Sequence, residues 1–472
     1  MAAVDRVLVV NAGSSSLKLR VLGSDGRADD DVTARADLPA AGDGTDSGPD
    51  GDTAIKAAIE SFGPVDAVGH RIVHGGTVYA APVLITGEVR RRLAALTDLA
   101  PLHQPKSLAA LDAVTSVLPD TPAVACFDTA FHATIPEAAA TFALPAEWRT
   151  RWTLRRYGFH GLSHSYGSRR AAELVGHPTP DAPAGLRVIT CHLGAGASLA
   201  AVLAGRSVDT TMGFTPLDGL VMATRSGSVD PGLVLWLEEH AHMPSRELAT
   251  TLETRSGLAG LAGTSDMREV LARATAGDQR AVLGRDVYLH RLRASIASMA
   301  AAMDGLDVLV FTGGVGENSP EVRSRTAAGL GFLGIAVDES RNAAGPAGGN
   351  EDWEITAAGS NVRTFVIAAR EDKQIAGEVR ALLAPRLPAA QRQGTTVTGH
   401  LPARTRRTAS EPISRCPALS DAPTTIASAR VSIATRVSSR YGSPWARMNV
   451  AEMPSSRDMA SARPASSLAI SS

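Results

Sequence analysis

The chain has little of what would mark a secreted, membrane-spanning or nucleic-acid-binding protein. Its 472 residues hold three cysteines, Cys126, Cys191 and Cys416, far apart and without CxxC or Cys/His spacing. Neither a disulfide framework nor a cysteine-based metal site is expected from that pattern. Cys126 and Cys191 lie in apolar runs and read as reduced, buried thiols. No run approaches the roughly 18 apolar residues of a membrane span, and Asp5 ahead of a short apolar run does not suit a signal peptide, so a cytoplasmic protein is expected. A formal net charge of −1 gives no electrostatic reason to expect nucleic acid or a membrane as partner. GxxxxGK[ST] and GxSxG are missing, and the turn GGVGEN lacks the GxGxxG spacing, which argues against a P-loop, a nucleophile elbow and a Rossmann fingerprint at that turn.

What is present is a duplicated pattern. RVLVVNAGSSSLKLRVL (Arg6 to Leu22) and RVITCHLGAGAS (Arg187 to Ser198) each run from β-branched residues to one polar residue, Asn11 or His192. Each then crosses a Gly/Ser/Ala turn into a second apolar strand, and such self-similarity suggests two related halves facing one ligand. The length suits two α/β domains. Asp25 to Asp52 reads as a surface excursion ending in a short helix near Ala54 to Phe62. Val65 to Gly76 reads as a strand closing on His70, Arg71 and His74, and Leu99 to Ser107 as a proline-bounded loop before a helix through Leu118. The strand Ala123 to Phe127 ends on Asp128, where α/β proteins point carboxylates into a ligand crevice; capping a turn is the alternative role. Arg155 to Leu174 packs His160 and His164 ahead of a helix expected to be capped by Ser163. Thr210 to Gly232 is a long loop carrying Arg225, and loops of that length in compact domains are usually functional. Asp278 to Asp304 has apolar residues at three- and four-residue spacing and reads as core or dimer interface.

Asp307 to Arg325 is a third glycine-type element. Its strand runs into Gly313, Gly314 and Gly316 as a turn, and Ser319-Pro320 opens a helix whose N-terminus favours an anion. Three such elements, at Asn11–Ser16, His192–Ser198 and Gly313–Asn318, suggest a nucleotide held between two halves. Phosphoryl transfer needs positioning and charge neutralisation more than covalent chemistry, and the arginines, carboxylates and histidines supply both. From Arg386 the chain has twelve Arg, no Lys and four acidic residues with no sustained apolar period. That stretch is expected to be disordered and dispensable.

The motifs NAGSSSLK, GHRIVHGG, LAPLH, FDTAFHATIP, RRYGFHGLSH, HLGAGAS, TTMGFTPLDG, ATRSGSVDPG and FTGGVGENS together resemble those of the acetate kinase family, in the family's order and across residues 6 to about 384. The resemblance implies the sugar kinase, actin and heat-shock chaperone superfamily: an α/β fold of two RNase H-like domains with the active-site cleft between them. It implies residues 1–147 with 370–384 as one domain, 148–369 as the nucleotide-binding domain, and 385–472 as the tail. It further implies a homodimer and reversible in-line phosphoryl transfer from ATP to acetate, with Mg²⁺ (or Mn²⁺) present. By motif, Arg71 and Arg225 resemble the pair that holds carboxylate and phosphoryl group, and His160 the transition-state donor, with His192 and His103 supporting it. Asp128 resembles the residue that aligns nucleophile and metal, and Asn11 and Glu371 the metal-proximal pair. Ser14, Ser16 and Lys18 match the first phosphate loop. His192, Leu193, Gly194, Ala195 and Gly196, with Gly313, Gly314, Val315, Gly316, Glu317, Asn318 and Arg323, match the nucleotide side. Val73, Leu102, Phe159 and Pro216 match the methyl pocket, where Val73 suits acetate over propionate. Three departures stand out: Ala195 where the family has Asn, Gln104-Pro105-Lys106 for Asn-Pro-Pro-Asn, and Arg370 and Asp372 flanking Glu371. The alternatives are another short-chain carboxylate kinase and a non-catalytic nucleotide-binding scaffold.

Overall fold

The computed structural model describes residues 4–13, 16–23, 31–39, 49–101, 103–176, 185–346 and 352–384. Ser14, Leu102 and the tail expected from 385 lie outside the described residues. The strands are β1 (Arg6–Ala12), β2 (Ser16–Gly23), β3 (Asp31–Pro39), β4 (Ala67–Ile72), β5 (Val83–Leu84) and β6 (Ala123–Phe127), then β7 (Arg187–Leu193), β8 (Ala197–Leu203), β9 (Arg206–Thr210), β10 (Val308–Thr312), β11 (Trp353–Glu354) and β12 (Arg363–Val366).

They form two sheets of six strands, ordered β3-β2-β1-β4-β6-β5 and β9-β8-β7-β10-β12-β11. β1 pairs antiparallel with β2 and parallel with β4, and β7 does the same with β8 and β10. The duplication legible in two hairpins therefore extends to the whole strand order, including the short antiparallel edge strand that precedes the last parallel one. In register, Asn11 faces Lys18 and His192 faces Ser198, so each hairpin turn lifts its polar residue at the same end of its sheet.

The central strands are apolar because both faces are covered: Val7 to Val10 and Val308 to Phe311 are each at most 1% exposed. The helix Glu371–Leu383 returns to the first sheet and packs Ile375, Ala376, Val379 and Leu383 against Val7, Val9 and Cys126. Its approach is so close that a Cβ on Gly69 would stand 2.5 Å from Ile375 Cγ2, and only glycine fits in β4 there. The helix Gln279–Ala301 is capped by Asp278, which accepts from the Arg280 and Ala281 amides. Leu289, Leu292, Ile296 and Met299 on its inner face join the second sheet's core, so this stripe is core and not interface.

Four expectations change. Asp31–Pro39 within the supposed excursion is a strand on the edge of β2. Val32, Ala34, Ala36 and Leu38 alternate along it and pack on the core, a period-2 signal masked by the surrounding Gly and Asp. The proline-bounded loop over Leu99 to Ser107 is shorter than expected, since Gln104–Val117 is helical with Pro105 in its first turn, where proline is tolerated. Gly313–Asn318 is a short helix and not an open turn. Ser163 does not cap Gly161–Leu174; the N-cap is His160, in the left-handed region at φ 56 without a side-chain cap bond. Among the described residues no helix is long and apolar enough to cross a membrane.

Candidate active site

The two sheets bring their lifted ends to a chain of cavities. The smallest, about 170 Å³, is lined by Arg71, Val73, His103, Asp128, Phe159, His160, His192, Pro216, Arg225 and Glu371, with Ala12, Gly13 and Gly196. These residues come from across the chain, and every described residue expected for the acid and phosphoryl group is among them.

Arg71 leaves β4 and is met by Asp128, which follows β6, the neighbour of β4. Nε donates to both Asp128 oxygens at 3.1 Å and Nη2 to Oδ2 at 2.7 Å. Nη1 donates to Asn11 Oδ1 at 3.0 Å and lies 3.5 Å from Glu371 Oε2. Burial opposes the charge on Arg71, but Asp128 and then Glu371 outweigh it and hold the guanidinium above its ordinary range. Burial pushes the Glu371 carboxyl up, and the stronger pull of Arg71, His192 and Lys18, with the Asn11 hydrogen bond, brings it below its ordinary value. Glu371 sits in the first turn of its helix, a position that favours an anion.

Arg225 is placed differently. Nη2 meets His103 Nε2 at 2.9 Å, and Nη1 reaches Pro216 O at 3.4 Å and Met222 Sδ at 3.8 Å. All three partners are uncharged: His103 is held down to about 4 by burial, with Arg225, Arg71 and Lys106 adding to it. Among the described residues no carboxylate lies within ion-pair distance of Arg225, and burial lowers its pKa. A half-buried guanidinium whose balancing charge, Glu253, acts on it only at a distance is suited to an incoming anion. The loop that carries it is tied down by backbone bonds, Ala223 N to Ala195 O and Leu258 N to Met222 O among them.

His160 stacks on His192 with ring centroids 4.4 Å apart. Its left-handed backbone costs about 1–2 kcal/mol for a non-glycine residue, strain of a kind that clusters at functional sites. His160 Nδ1 meets Ser198 Oγ, and His192 Nδ1 meets Ser163 Oγ, both at 2.8 Å. The serine expected to cap a helix thus orients a ring of the site. A Cβ on Gly196 would stand 3.2 Å from His160 Nε2 and 3.5 Å from Arg225 Nη1, so these two donors converge beside the HLGAGAS turn.

Next to this cavity lies one of about 530 Å³, lined by Asn11, Gly13, Ser16, Lys18, Arg20, Arg71, His192, Gly313, Gly314, Glu317, Arg370, Glu371 and Asp372, with Val9 and Ala369. Lysine and arginine facing backbone amides give this cavity the chemistry to hold phosphate. Glu317 Oε1 accepts from the Gly313 and Ala369 amides. Gly313 takes φ 78, and a Cβ there would press on the Leu193 backbone at 2.9–3.1 Å. Leu193 itself is fully buried.

The third cavity, about 670 Å³, is of nucleoside size. Gly194, Ala195, Gly314, Val315 and Asn318 line it, as expected, together with Ala223, Leu258, Ser265, Asp266, Met267, Arg268, Leu271 and Tyr288. Ser265 to Arg268 escaped the sequence reading because SDMR looks like an ordinary helix start. Asp266 is that N-cap, and its carboxylate, held down to about 2 mainly by the Arg268 side chain, grips the Arg268 guanidinium at 2.6 Å. The signal that could have found it is Asp-x-Arg at a helix start, which leaves a planar cation over the pocket. Arg323 corrects in the other direction. It is 1% exposed and gives its guanidinium to Gly316 O, Glu317 O and Asn342, so it braces the Gly313–Asn318 helix from behind and lines none of the three cavities. Gln104, the departure after LAPLH, is also structural: its buried amide joins His74 to Leu93 O.

Burial has a consequence for stability. His70 and His132 are buried and each is held near 4 by desolvation, with the ordinary value at 6.5. Between those values the unfolded chain binds more protons than the folded one, so stability is full above pH 6.5 and lost as pH falls toward 4. Each histidine contributes about 3 kcal/mol to that loss. Melting temperatures recorded from neutral pH downward are expected to fall steeply through this window; a flat profile would contradict neutral, buried rings.

The Acetokinase family profile matches residues 52–377. The acetate kinase of Trichormus variabilis is 48% identical over 326 residues, covering 69% of this chain and 78% of that relative. The crystal structure of Porphyromonas gingivalis acetate kinase superposes with a TM-score of 0.71 at 35% identity, covering 80% of this chain and 100% of that one. That of a propionate kinase from Francisella tularensis does so at 0.69 and 33%, covering 79% and 98%. The paired sheets, the arginine-lined cavity beside two larger ones, and these similarities agree: the protein is a kinase, and the chain belongs to the acetokinase family.

Proposed function

We propose that the protein catalyses reversible phosphoryl transfer from ATP to acetate, giving ADP and acetyl phosphate by direct in-line attack of the carboxylate. The observation that carries this is the half-buried Arg225 guanidinium, which among the described residues has no carboxylate within ion-pair distance and lines a cavity of only about 170 Å³. Nucleoside and phosphates occupy the two larger cavities, and acetate lies against Val73, Phe159 and Pro216. His160 and Arg225 donate to the phosphoryl group as its charge develops, and Asp128 with Arg71 aligns the acid. Incubation with Mg-ATP and acetate, propionate or butyrate, with hydroxylamine to trap acyl phosphate, tests the reading. No product with any acid overturns it.

The residues suit Mg²⁺, though among the described residues no three His, Cys, Asp or Glu side chains cluster as a protein cage. Mg²⁺ characteristically takes one or two carboxylates plus substrate phosphates, and Glu371 with Asp128 offers that set. When bound, the ion neutralises charge on the phosphates. Asn11 serves by holding Glu371: its Nδ2 donates to Glu371 Oε2 at 2.7 Å, while its oxygen is taken by Arg71.

Val73 is 6% exposed and fills the acid end of the cavity. Propionate is expected to be used with kcat/KM about 10- to 200-fold below acetate, the worth of one methylene. Val73→Ala should narrow that ratio, and steady-state kinetics with both acids checks it. A homodimer is supported by Pro231–His240, a helix without buried residues that exposes Leu233, Leu235 and Trp236 at 48–56%; light scattering tests it. Residues 1–147 with 370–384 and residues 148–369 are the two domains, in keeping with the return of Glu371–Leu383 to the first sheet. The free, buried thiols of Cys126 and Cys191 accord with a cytoplasmic location.

A further inference from the structure

Behind His160 a line of buried polar groups runs away from the cavity. Ser198 Oγ lies 2.8 Å from His160 Nδ1 and 2.8 Å from His164 Nε2, and His164 Nδ1 lies 2.7 Å from Thr190 Oγ1. Ser198, His164 and Thr190 are all fully buried. None of the three belongs to the wall of a cavity described above.

Hydroxyl groups carry one proton each, so the directions along this line are not independent. Among the described residues the Thr190 hydroxyl has no hydrogen-bond partner except His164. A buried hydroxyl that only accepts would leave its own proton unbonded, at the full cost of desolvation. Thr190 must then donate to His164 Nδ1, which places the His164 proton on Nε2. That proton goes to Ser198 Oγ, and Ser198 in turn donates to His160 Nδ1. The only nitrogen of His160 left to hold a proton is Nε2, the atom beside Gly196 and Arg225. Reversing every bond would orphan the Thr190 proton and present a lone pair, not a donor, to incoming anions.

We propose that Thr190, His164 and Ser198 are positioning residues that fix His160 in its Nε2–H tautomer, so that the ring donates into the reaction cavity. The proposal rests on the reading of His160 as a donor to the transferring phosphoryl group. It assigns work to a threonine in the middle of a core strand, where nothing but packing would be expected. Burial keeps both rings neutral, which the one-proton count requires.

The test is a long-range proton–nitrogen correlation spectrum of the full-length protein labelled with ¹⁵N-histidine, the His160 signals being assigned by their loss in His160→Asn. The expected pattern is protonated Nε2 and bare Nδ1; the opposite pattern in the parent protein overturns the relay whatever any variant does. Thr190→Val keeps shape and removes the end donor. It should give a mixed His160 tautomer and a kcat about 10- to 100-fold lower, the usual effect of losing a group that orients a functional histidine. KM for acetate should move less than about twofold, since ground-state contacts are untouched, and Thr190→Ser should restore both tautomer and kcat. A folded Thr190→Val protein with parental tautomer and kcat overturns the relay. Protonated Nε2 in the parent together with full turnover in His160→Asn would sink the donor role and leave the relay standing.

Discussion

Arg225→Ala is expected to lower turnover by about two to three orders of magnitude, the effect of removing one preorganised transition-state donor, while its melting temperature stays the same or rises. The two halves of that expectation have one cause. The guanidinium is half-buried, its hydrogen-bond partners His103, Pro216 O and Met222 are uncharged, and burial works against its charge more than the distant Glu253 supports it. In the empty enzyme it is therefore a destabilising group, held by the backbone bonds of its loop. Its interaction is realised when an anion arrives and is strongest when charge builds on the phosphoryl oxygens. Arg225→Lys keeps the charge but loses the planar fork, and should recover little of the lost rate. Hydroxylamine-trapped product and a thermal melt on one preparation suffice; an unfolded Arg225→Ala, or one within tenfold of parental turnover, would refute the argument.

How far the sequence reached depends on whether a feature is local. Strands such as Arg6–Ala12 and Ala123–Phe127 were legible because an apolar run buried on both faces has one structural solution, and the twin hairpins announced the duplicated sheets. The site residues that end strands, Arg71, Asp128 and His192, were legible for the same reason. What stayed hidden depends on distant partners. Nothing near Glu371 says that it will accept from Asn11, 360 positions earlier. Nothing near Ser163 or Ser198 distinguishes a helix cap from an anchor for a histidine ring. Arg323 was placed on the nucleotide side because its motif follows a glycine-rich turn, and only the acceptors at Gly316, Glu317 and Asn342 reveal its task. Asp31–Pro39 was lost to composition: its alternation is real, but Asp and Arg on its outer face imitate a loop.

Arg71→Ala should fail in the opposite way, through the fold as well as the chemistry. Asp128 is 1% exposed and takes three guanidinium hydrogen bonds, and Glu371 lies 3.5 Å away on the other side. Removing Arg71 leaves two carboxylates in one dry site, and breaking a buried pair from one side costs about 3–5 kcal/mol. Burial already holds Asp128 above its ordinary value against the pull of Arg71; without Arg71 it would rise further and Glu371 would rise with it, so their penalty is greatest at neutral pH and fades as pH falls and they protonate. Urea denaturation should show a stability gap between parent and variant that is widest near pH 7.5 and narrower near pH 5.5. Adding Asp128→Asn to Arg71→Ala should return part of the stability and none of the activity, because the double variant removes a buried charge without restoring an alignment for the acid. A small gap that does not change with pH would mean that Asp128 is protonated in the parent enzyme, and with it would go the assignment of Arg71 as a neutralised scaffold and Arg225 as the uncompensated charge that waits for substrate.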